Sequence, residues 1–463
     1  MADLNRLFHP RSVAIVGSLN SITNRVQTLF ELGFEGKIYP ISHNANEIRG
    51  LKVYTSIGEV PGEIDIVIVM IPARFTPQLM EECVRKSVSF AQFFTAGFSE
   101  VGADGSALEK EVVEIAARGG VRVVGPNCMG VYCPGDHFCW RNDFPRESGE
   151  VAFLSQSGWH SGKLAMLGAT REVRFSKMIS YGNAADLNEI DFLKYFATDQ
   201  ESRVIGAYIE GVKDGQQFFQ ALRKTAQVKP VLVLKGGHSQ AGMRVVESHT
   251  GSLAGNDVIW ESLLRQAGAV EVHSLDELVD AALAFLYLTS IRSGDIAVIC
   301  TGGGPGVISA DECERAGLTM PPLPEEAVKA LRRFIRQEGT GLRNPLDLPF
   351  INEQTPQQLH KALGIVASCP EIDSLIVNLE IDIVAFLRDE KRLTKITTAI
   401  IAASRDCGKP VSVVLSTSGF PETLKIVLEQ QRLLMAAGIP VYPSISRAAR
   451  AINRVLQYKF SKS

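Results

Sequence analysis

VAFLSQSGWHSGKLAMLGATREVRFSKMISYG, residues 151–182, joins an apolar run to a small polar turn, a helical stretch and a second apolar run. The apolar run 151–154 reads as a buried strand, and Ser155, Gln156, Ser157 and Gly158 lie between it and a helix. Strand, turn, helix and strand make a βαβ unit, which belongs to a parallel sheet. The same alternation extends outward from this stretch. Before it come runs at 12–17, 37–42, 64–72, 89–97 and 121–127, then a loop rich in Pro, Gly and Asp over 134–150. After it come runs at 204–211, 230–237 and 270–273, a helix over 275–288, and runs at 295–304, 374–380, 410–416 and 439–443. VEVHSLDELVDAALAF (270–285) and PVYPSISRAARAINRV (440–455) each read as a short strand, a Ser cap and an amphipathic helix, the closing elements of two related units.

A chain of 463 residues has room for about three domains of ~150 residues. Turn-rich polar stretches near 140–150 and 290–295 divide it into 1–143, 144–292 and 293–463. The expected fold is α/β, with three doubly wound domains. Apolar residues make up 45% and charged residues 21%, the composition of a folded globular chain. With 48 basic and 51 acidic side chains and no basic run, nucleic acid and anionic membrane surfaces are not expected partners. No apolar stretch approaches the ~18 residues of a membrane span, and the N-terminus runs straight into a strand pattern, so no cleavable leader is expected. Eight scattered cysteines form no CxxC pair, so a reducing, cytoplasmic setting is expected. Cys128, Cys133 and Cys139 with His137 fit no zinc spacing and read as ordinary buried or loop thiols. No metal site is read from the sequence.

Three strand-to-helix junctions could hold an anion, because unpaired N–H groups and the helix dipole meet there. The first, VAIVGSLNSITNR (13–25), has only Gly17, then Ser18, Asn20 and Ser21. It lacks the glycines of a dinucleotide fingerprint and the ribose-binding acid after the second strand, which disfavours nicotinamide chemistry. The second places Ser155, Gln156, Ser157 and Gly158 before a helix; it is equally a small-anion nest and a capped turn. The third carries Gly302, Gly303, Gly304 and Gly306 around Pro305, again either an anion cradle or a tight turn.

The segment 235–257, KGGHSQAGMRVVESHTGSLAGND, lacks an apolar period and reads as a loop. His238 and His273 read as structural or solvated histidines. His249 differs, because Ser248, Thr250, Gly251 and Ser252 surround it with small polar groups that let an imidazole be approached. Such a histidine can accept a phosphoryl group if its other ring nitrogen donates to a carboxylate. Glu210, ending the strand AYIEG, is the candidate orienter or else a solvated strand-end acid.

The order FTAGFSEVG (94–102), GPNCMG (125–130), FLSQSG (153–158), YGNAADLNEIDFLKY (181–195), YIEGVKDG (208–215), KPVLVLKGGHSQAG (229–242), SHTGSLAG (248–255), TGGGPGVISAD (301–311) and NPLDL (344–348) covers essentially the whole chain. It resembles the α subunit of NDP-forming acyl-CoA synthetases, the ADP-forming acetate–CoA ligases related to succinyl-CoA synthetase. That resemblance implies a CoA-binding Rossmann-like domain followed by two flavodoxin-like ligase domains, with an ATP-grasp domain on a separate β subunit or a C-terminal extension. It implies that His249 is transiently phosphorylated and that Glu210 orients it. By the same resemblance Ser155, Gln156, Ser157 and Gly158, with Gly302, Gly303, Gly304 and Gly306, supply two helix N-termini for the phosphoryl group. Gly17, Ser18, Pro72, Thr95, Asn127 and Cys128 fall in segments that line the CoA site. The implied reactants are a small carboxylic acid or its acyl-CoA, CoA and phosphate, with ADP/ATP and Mg2+ on the partner of a hetero-oligomer. Two positions depart from the family. GSLNSITNR (17–25) lacks the later glycines of the first loop, and Trp159 and His160 follow Gly158 where relatives carry small residues. Both are expected to reshape the CoA and acyl pockets, the Trp and His by crowding.

Overall fold

A computed structural model describes residues 3–250, 257–335, 341–348, 354–382 and 390–462, with 247–250 and 390 described in their helical backbone only. The chain divides into two compact units, 1–169 with 173–278, and 170–172 with 279–463.

The first unit holds two large sheets and, among the described residues, one small antiparallel pair of strands, Glu47–Ile48 with Leu51–Lys52. One large sheet is wholly parallel, with strands in the spatial order Lys37–Ile41, Ser12–Gly17, Ile66–Met70, Phe90–Phe93 and Arg122–Val124. Its central strands are buried almost throughout, because VAIVG and IVIVM are apolar on both faces and helices cover both. The helix Leu19–Leu32 starts where the Ser18 side chain accepts from Ser21 N and stops at Gly33, whose φ of 86° suits a residue without Cβ.

The other sheet runs Val270–Val272, Val231–Lys235, Val204–Ile209, Val151–Ser155, Phe175–Ser180 and Gly130–Tyr132. Five of these strands are parallel, and Gly130–Tyr132 lies antiparallel at the edge, Tyr132 opposite Met178. A continuous apolar core joins the two sheets. Phe8, fully buried, stacks on Tyr195 at 4.9 Å and meets Phe196 at 5.5 Å. Burial of one such side chain contributes about 1.5–3 kcal/mol.

The second unit has one parallel sheet, ordered Leu346–Asp347, Ile296–Cys300, Ser374–Glu380, Val411–Ser416 and Val441–Tyr442. The parallel strands of each sheet follow the chain order 2-1-3-4-5. A switch point therefore lies beside the first strand of each, at the carboxyl end where ligands bind in such sheets. Both expected Ser caps form: Ser274 accepts from Glu277 N at 3.1 Å and Ser444 from Arg447 N at 3.4 Å. No helix among the described residues is long and apolar enough to cross a membrane.

Candidate active site

In the second sheet the switch point lies between Val151–Ser155 and Val204–Ile209, where Ser155 pairs with Tyr208. Ser155, Gln156 and Ser157 are buried there. Ser155 Oγ accepts from Ser157 N at 3.0 Å, and Ser157 Oγ accepts from His160 N at 3.3 Å, capping the helix Gly158–Thr170. Gly158 admits no side chain, because a Cβ would lie 2.4 Å from Met129 Cγ. Gln156 crosses the crevice. Its carbonyl accepts from the N–H groups of Glu210 and Gly211, and its amide donates to Gly211 O at 3.0 Å.

Glu210 is thus held by its backbone at the crevice, 4% exposed, and accepts a hydrogen bond from the Tyr208 hydroxyl at 3.1 Å. Burial, with the Glu210 charge beside it, holds the phenol protonated well above its ordinary range. The His160 ring stacks on Tyr208, centroids 4.3 Å apart. Trp159 does not crowd the turn as its size suggests, since its side chain is 75% exposed. It is the second residue of its helix and faces outward, while His160, one residue on, faces the sheet.

The segment 235–257 is not wholly a loop. Residues Gln240–Thr250 form a helix, capped where Ser239 Oγ accepts from Gly242 N at 3.0 Å, with Val246 buried on its inner face. Few apolar residues mark that face, so cap and packing outweigh a weak periodicity. His249 belongs to this helix; its side chain, and residues 251–256 with the rest of SHTGSLAG, lie outside the described residues. The helix runs beside the turn Ser99–Val101. At its root, Lys235 lies over the Trp260 ring at 5.3 Å. Burial lowers the Lys235 pKa, against the opposing pull of Asp257 and Glu210.

Motifs from distant parts of the chain meet along this face. Asn183 Nδ2 donates to Ser99 Oγ at 3.1 Å and to the carboxylates of Glu100 and Glu109 at 2.6 and 3.0 Å. Burial would raise the Glu100 carboxyl, but hydrogen bonds from Asn183 and from Gly97 and Phe98 N–H outweigh it and hold the acid below its usual value. Asn183 N donates to Pro126 O and Ala185 N to Gly125 O, at 3.0 and 2.9 Å. A Cβ on Gly182 would lie 2.2 Å from Pro126 O, so only glycine fits.

At the first sheet's switch point Gly17 pairs with Met70, and a Cβ on Gly17 would approach Met70 Cβ to 3.0 Å. Ser18 and Pro72 follow these strand ends. Thr95 Oγ1 donates to Ile71 O at 2.7 Å, and Asn127 N donates to Thr95 O at 3.0 Å. The structure therefore places Gly17, Ser18, Pro72, Thr95 and Asn127 at or just beyond the carboxyl ends of this sheet's strands. Cys128 follows them in its backbone, but its side chain turns inward; its thiol donates to Phe93 O at 3.4 Å and burial pushes it up to about 12.

In the second unit, Gly302 has φ 95° and its N–H donates to Asp347 Oδ1 at 2.8 Å. Gly306 packs against Cys300 and Pro345, whereas Gly303 and Gly304 are exposed at the start of the helix Gly303–Arg315. Tyr208, Asn183 and Lys235 escape a reading of the sequence as site residues. Their only local signal is position, at or just beyond the carboxyl end of a central strand.

Three family models match in succession: a CoA binding domain over residues 11–134, a succinyl-CoA ligase-like flavodoxin domain over 148–285 and a ligase-CoA domain over 296–463. Sheet order, switch-point loops and these matches together define a CoA ligase of the acid–thiol class. Among proteins of known activity, the alpha subunit of ADP-forming acetate–CoA ligase II from Pyrococcus furiosus is 34% identical over 457 residues, 98% of this chain and 97% of that one. The alpha subunit of ligase I from the same organism is 32% identical over 472 residues, 99% and 98% of the two chains. The dinucleotide-forming acetyl-coenzyme A synthetase 1 of Ca. Korarchaeum cryptofilum, solved with phosphate and ADP, matches with a TM-score of 0.86 at 29% identity, covering 100% of this chain and 98% of that one. The chain belongs to the ADP-forming acetate–CoA ligase family.

Proposed function

We propose that the chain is the α-type subunit of an NDP-forming acyl-CoA synthetase that passes a phosphoryl group through His249. A phosphate oxygen attacks the thioester carbonyl of an acyl-CoA; the C–S bond breaks and CoA leaves as the thiolate. The acyl phosphate then gives its phosphoryl group to a ring nitrogen of His249, releasing the carboxylate. Phosphohistidine transfers the group to ADP bound, with Mg2+, on an ATP-grasp partner subunit. An imidazole serves here because it is both a competent nucleophile and a good leaving group.

The observation that carries this reading is the placement of Glu210. It lies at a sheet switch point, fixed by Gln156 and Tyr208, beside the first turn of the helix Gly158–Thr170. A carboxylate there can hold the second nitrogen of an imidazole, while the helix N-terminus at Gly158 favours an incoming phosphate. In this reading residues 1–143 bind CoA through Gly17, Ser18, Pro72, Thr95 and Asn127, and 144–292 and 293–463 are the ligase domains. The acid is a small carboxylate.

The test is to incubate the purified chain with phosphate and a panel of acyl-CoAs, and to read intact mass at alkaline pH, where phosphohistidine survives. Addition of one phosphoryl group, absent from His249→Ala, is expected, and the acyl-CoA that supports it names the acid. No addition with any acyl-CoA, repeated with the ATP-grasp subunit and ATP, would overturn the reading in favour of a transferase or an acyl-CoA-binding protein.

A further inference from the structure

Two histidines that read as ordinary in the sequence converge with a carboxylate at the root of the segment carrying His249. His238 follows the strand Val231–Lys235 after Gly236 and Gly237. Glu271 lies in the neighbouring edge strand Val270–Val272, and His273 comes two residues later, so the two side chains share one face. One ligand atom from each of His238, Glu271 and His273 lies within 4.8 Å of the others. The two imidazole centroids are 6.2 Å apart. His238 Nδ1 pairs with Asp257 Oδ1 at 3.1 Å. With the proton on Nδ1 donated to that carboxylate, Nε2 keeps its lone pair. This is the outer arrangement that orients a metal-binding histidine.

We propose that His238, Glu271 and His273 hold a divalent transition-metal ion of the zinc type, with Asp257 orienting His238 from outside the coordination sphere. Two neutral imidazoles and one carboxylate suit a borderline dication, and a water completes four-coordination. The side chains of His238 and Asp257 are 38% and 35% exposed, so an ion can reach the donors from solvent. The other three-donor group among the described residues, His9, Cys133 and Asp136, is closed on itself. There the Asp136 carboxylate already takes His9 Nδ1 and the Cys133 thiol, and the group faces the Lys177 ammonium. An ion on the proposed site would tie residues on both sides of the 239–256 segment to the edge strand. His238 precedes that segment, and Asp257 opens the helix Asp257–Ala267 after it.

The test titrates Zn2+ into the chelator-stripped chain against a chromophoric competitor, then reads the zinc environment by X-ray absorption. One equivalent with two imidazoles in its first shell is expected. His238→Gln and His273→Gln should each weaken binding at least a hundredfold, and Asp257→Asn about tenfold to a hundredfold. All three positions are half exposed, and an unchanged melting temperature in chelator shows that the variants fold. No bound equivalent would overturn the proposal. So would zinc that persists in His238→Gln and His273→Gln, and zinc lost only in Cys133→Ser would place the ion on the other cluster. Metal stoichiometry needs no turnover, so this result stands apart from the phosphohistidine test.

Discussion

The Tyr208 hydroxyl donates to Glu210 at 3.1 Å while the His160 ring stacks on the Tyr208 ring, centroids 4.3 Å apart. A hydrogen bond to a charged group contributes about 1.5–3 kcal/mol. Tyr208→Phe keeps the ring contact and removes the hydroxyl. It should slow His249 phosphorylation about tenfold in single-turnover mass measurements, with a smaller change in KM for the acyl-CoA. An unchanged rate would show that Tyr208 only packs.

Gln156 has a structural role that can be separated from phosphate binding. Its side-chain carbonyl is the acceptor for two buried N–H groups, those of Glu210 and Gly211. A buried donor left unpaired costs about 1–3 kcal/mol. Gln156→Leu should therefore lower stability by about 2–4 kcal/mol in urea titrations and abolish phosphorylation as Glu210 drifts. Gln156→Glu, which keeps one acceptor, should retain more stability than the leucine variant.

Glu189 gives a pH signature. It is 2% exposed at the start of the helix Glu189–Thr198, and burial pushes its carboxyl up to about 7. The folded value lies above that of the unfolded chain, about 4.3. The native state is favoured while the acid is protonated, and that advantage is lost as pH rises through about 7. A shift of this size corresponds to at most about 4 kcal/mol. Glu189→Gln should flatten the decline in unfolding free energy that the parent chain shows between roughly pH 4 and about 7. Parallel curves for the two proteins would refute the assignment.

In the second unit, Asp280 is 1% exposed and pairs with both Arg447 and Arg171, the latter at 3.1 Å. Arg171 also donates to Val441 O at 2.9 Å. Removing the carboxylate leaves two largely buried guanidinium groups without their counter-charge, which costs about 3–5 kcal/mol. Asp280→Asn should lower the melting temperature by several degrees in calorimetry, and double replacement with Arg447→Met should recover part of the loss.

The strands were legible because parallel strands covered on both faces leave unbroken apolar runs, as in VAIVG and VLVLK. Ser274 and Ser444 announced their helices by the chemistry of the cap. The helix Gln240–Thr250 was hidden, since Val246 is buried there but glycine and serine dominate its approach. The edge strand Gly130–Tyr132 was hidden too: three residues carry no period, and its partner lies about fifty positions away in sequence. At the site, Glu210 and the Ser155 turn were visible as a strand-end acid and a polar turn. Tyr208, Asn183 and the His238–Glu271–His273 group were not, because each depends on residues that only folding brings together.

Gly130–Tyr132 has a consequence for anyone who would recombine these proteins. It comes from the chain before the 134–150 loop, yet it seals the border of the sheet that follows. A chimera cut at that loop would transplant a CoA-binding-type front domain together with another protein's border strand. A ligase half expressed without it would present the bare rim of Phe175–Ser180 to any passing chain, an invitation to stick or to swap. The serviceable splice lies upstream of Gly130, so that the sealing strand travels with the sheet it protects.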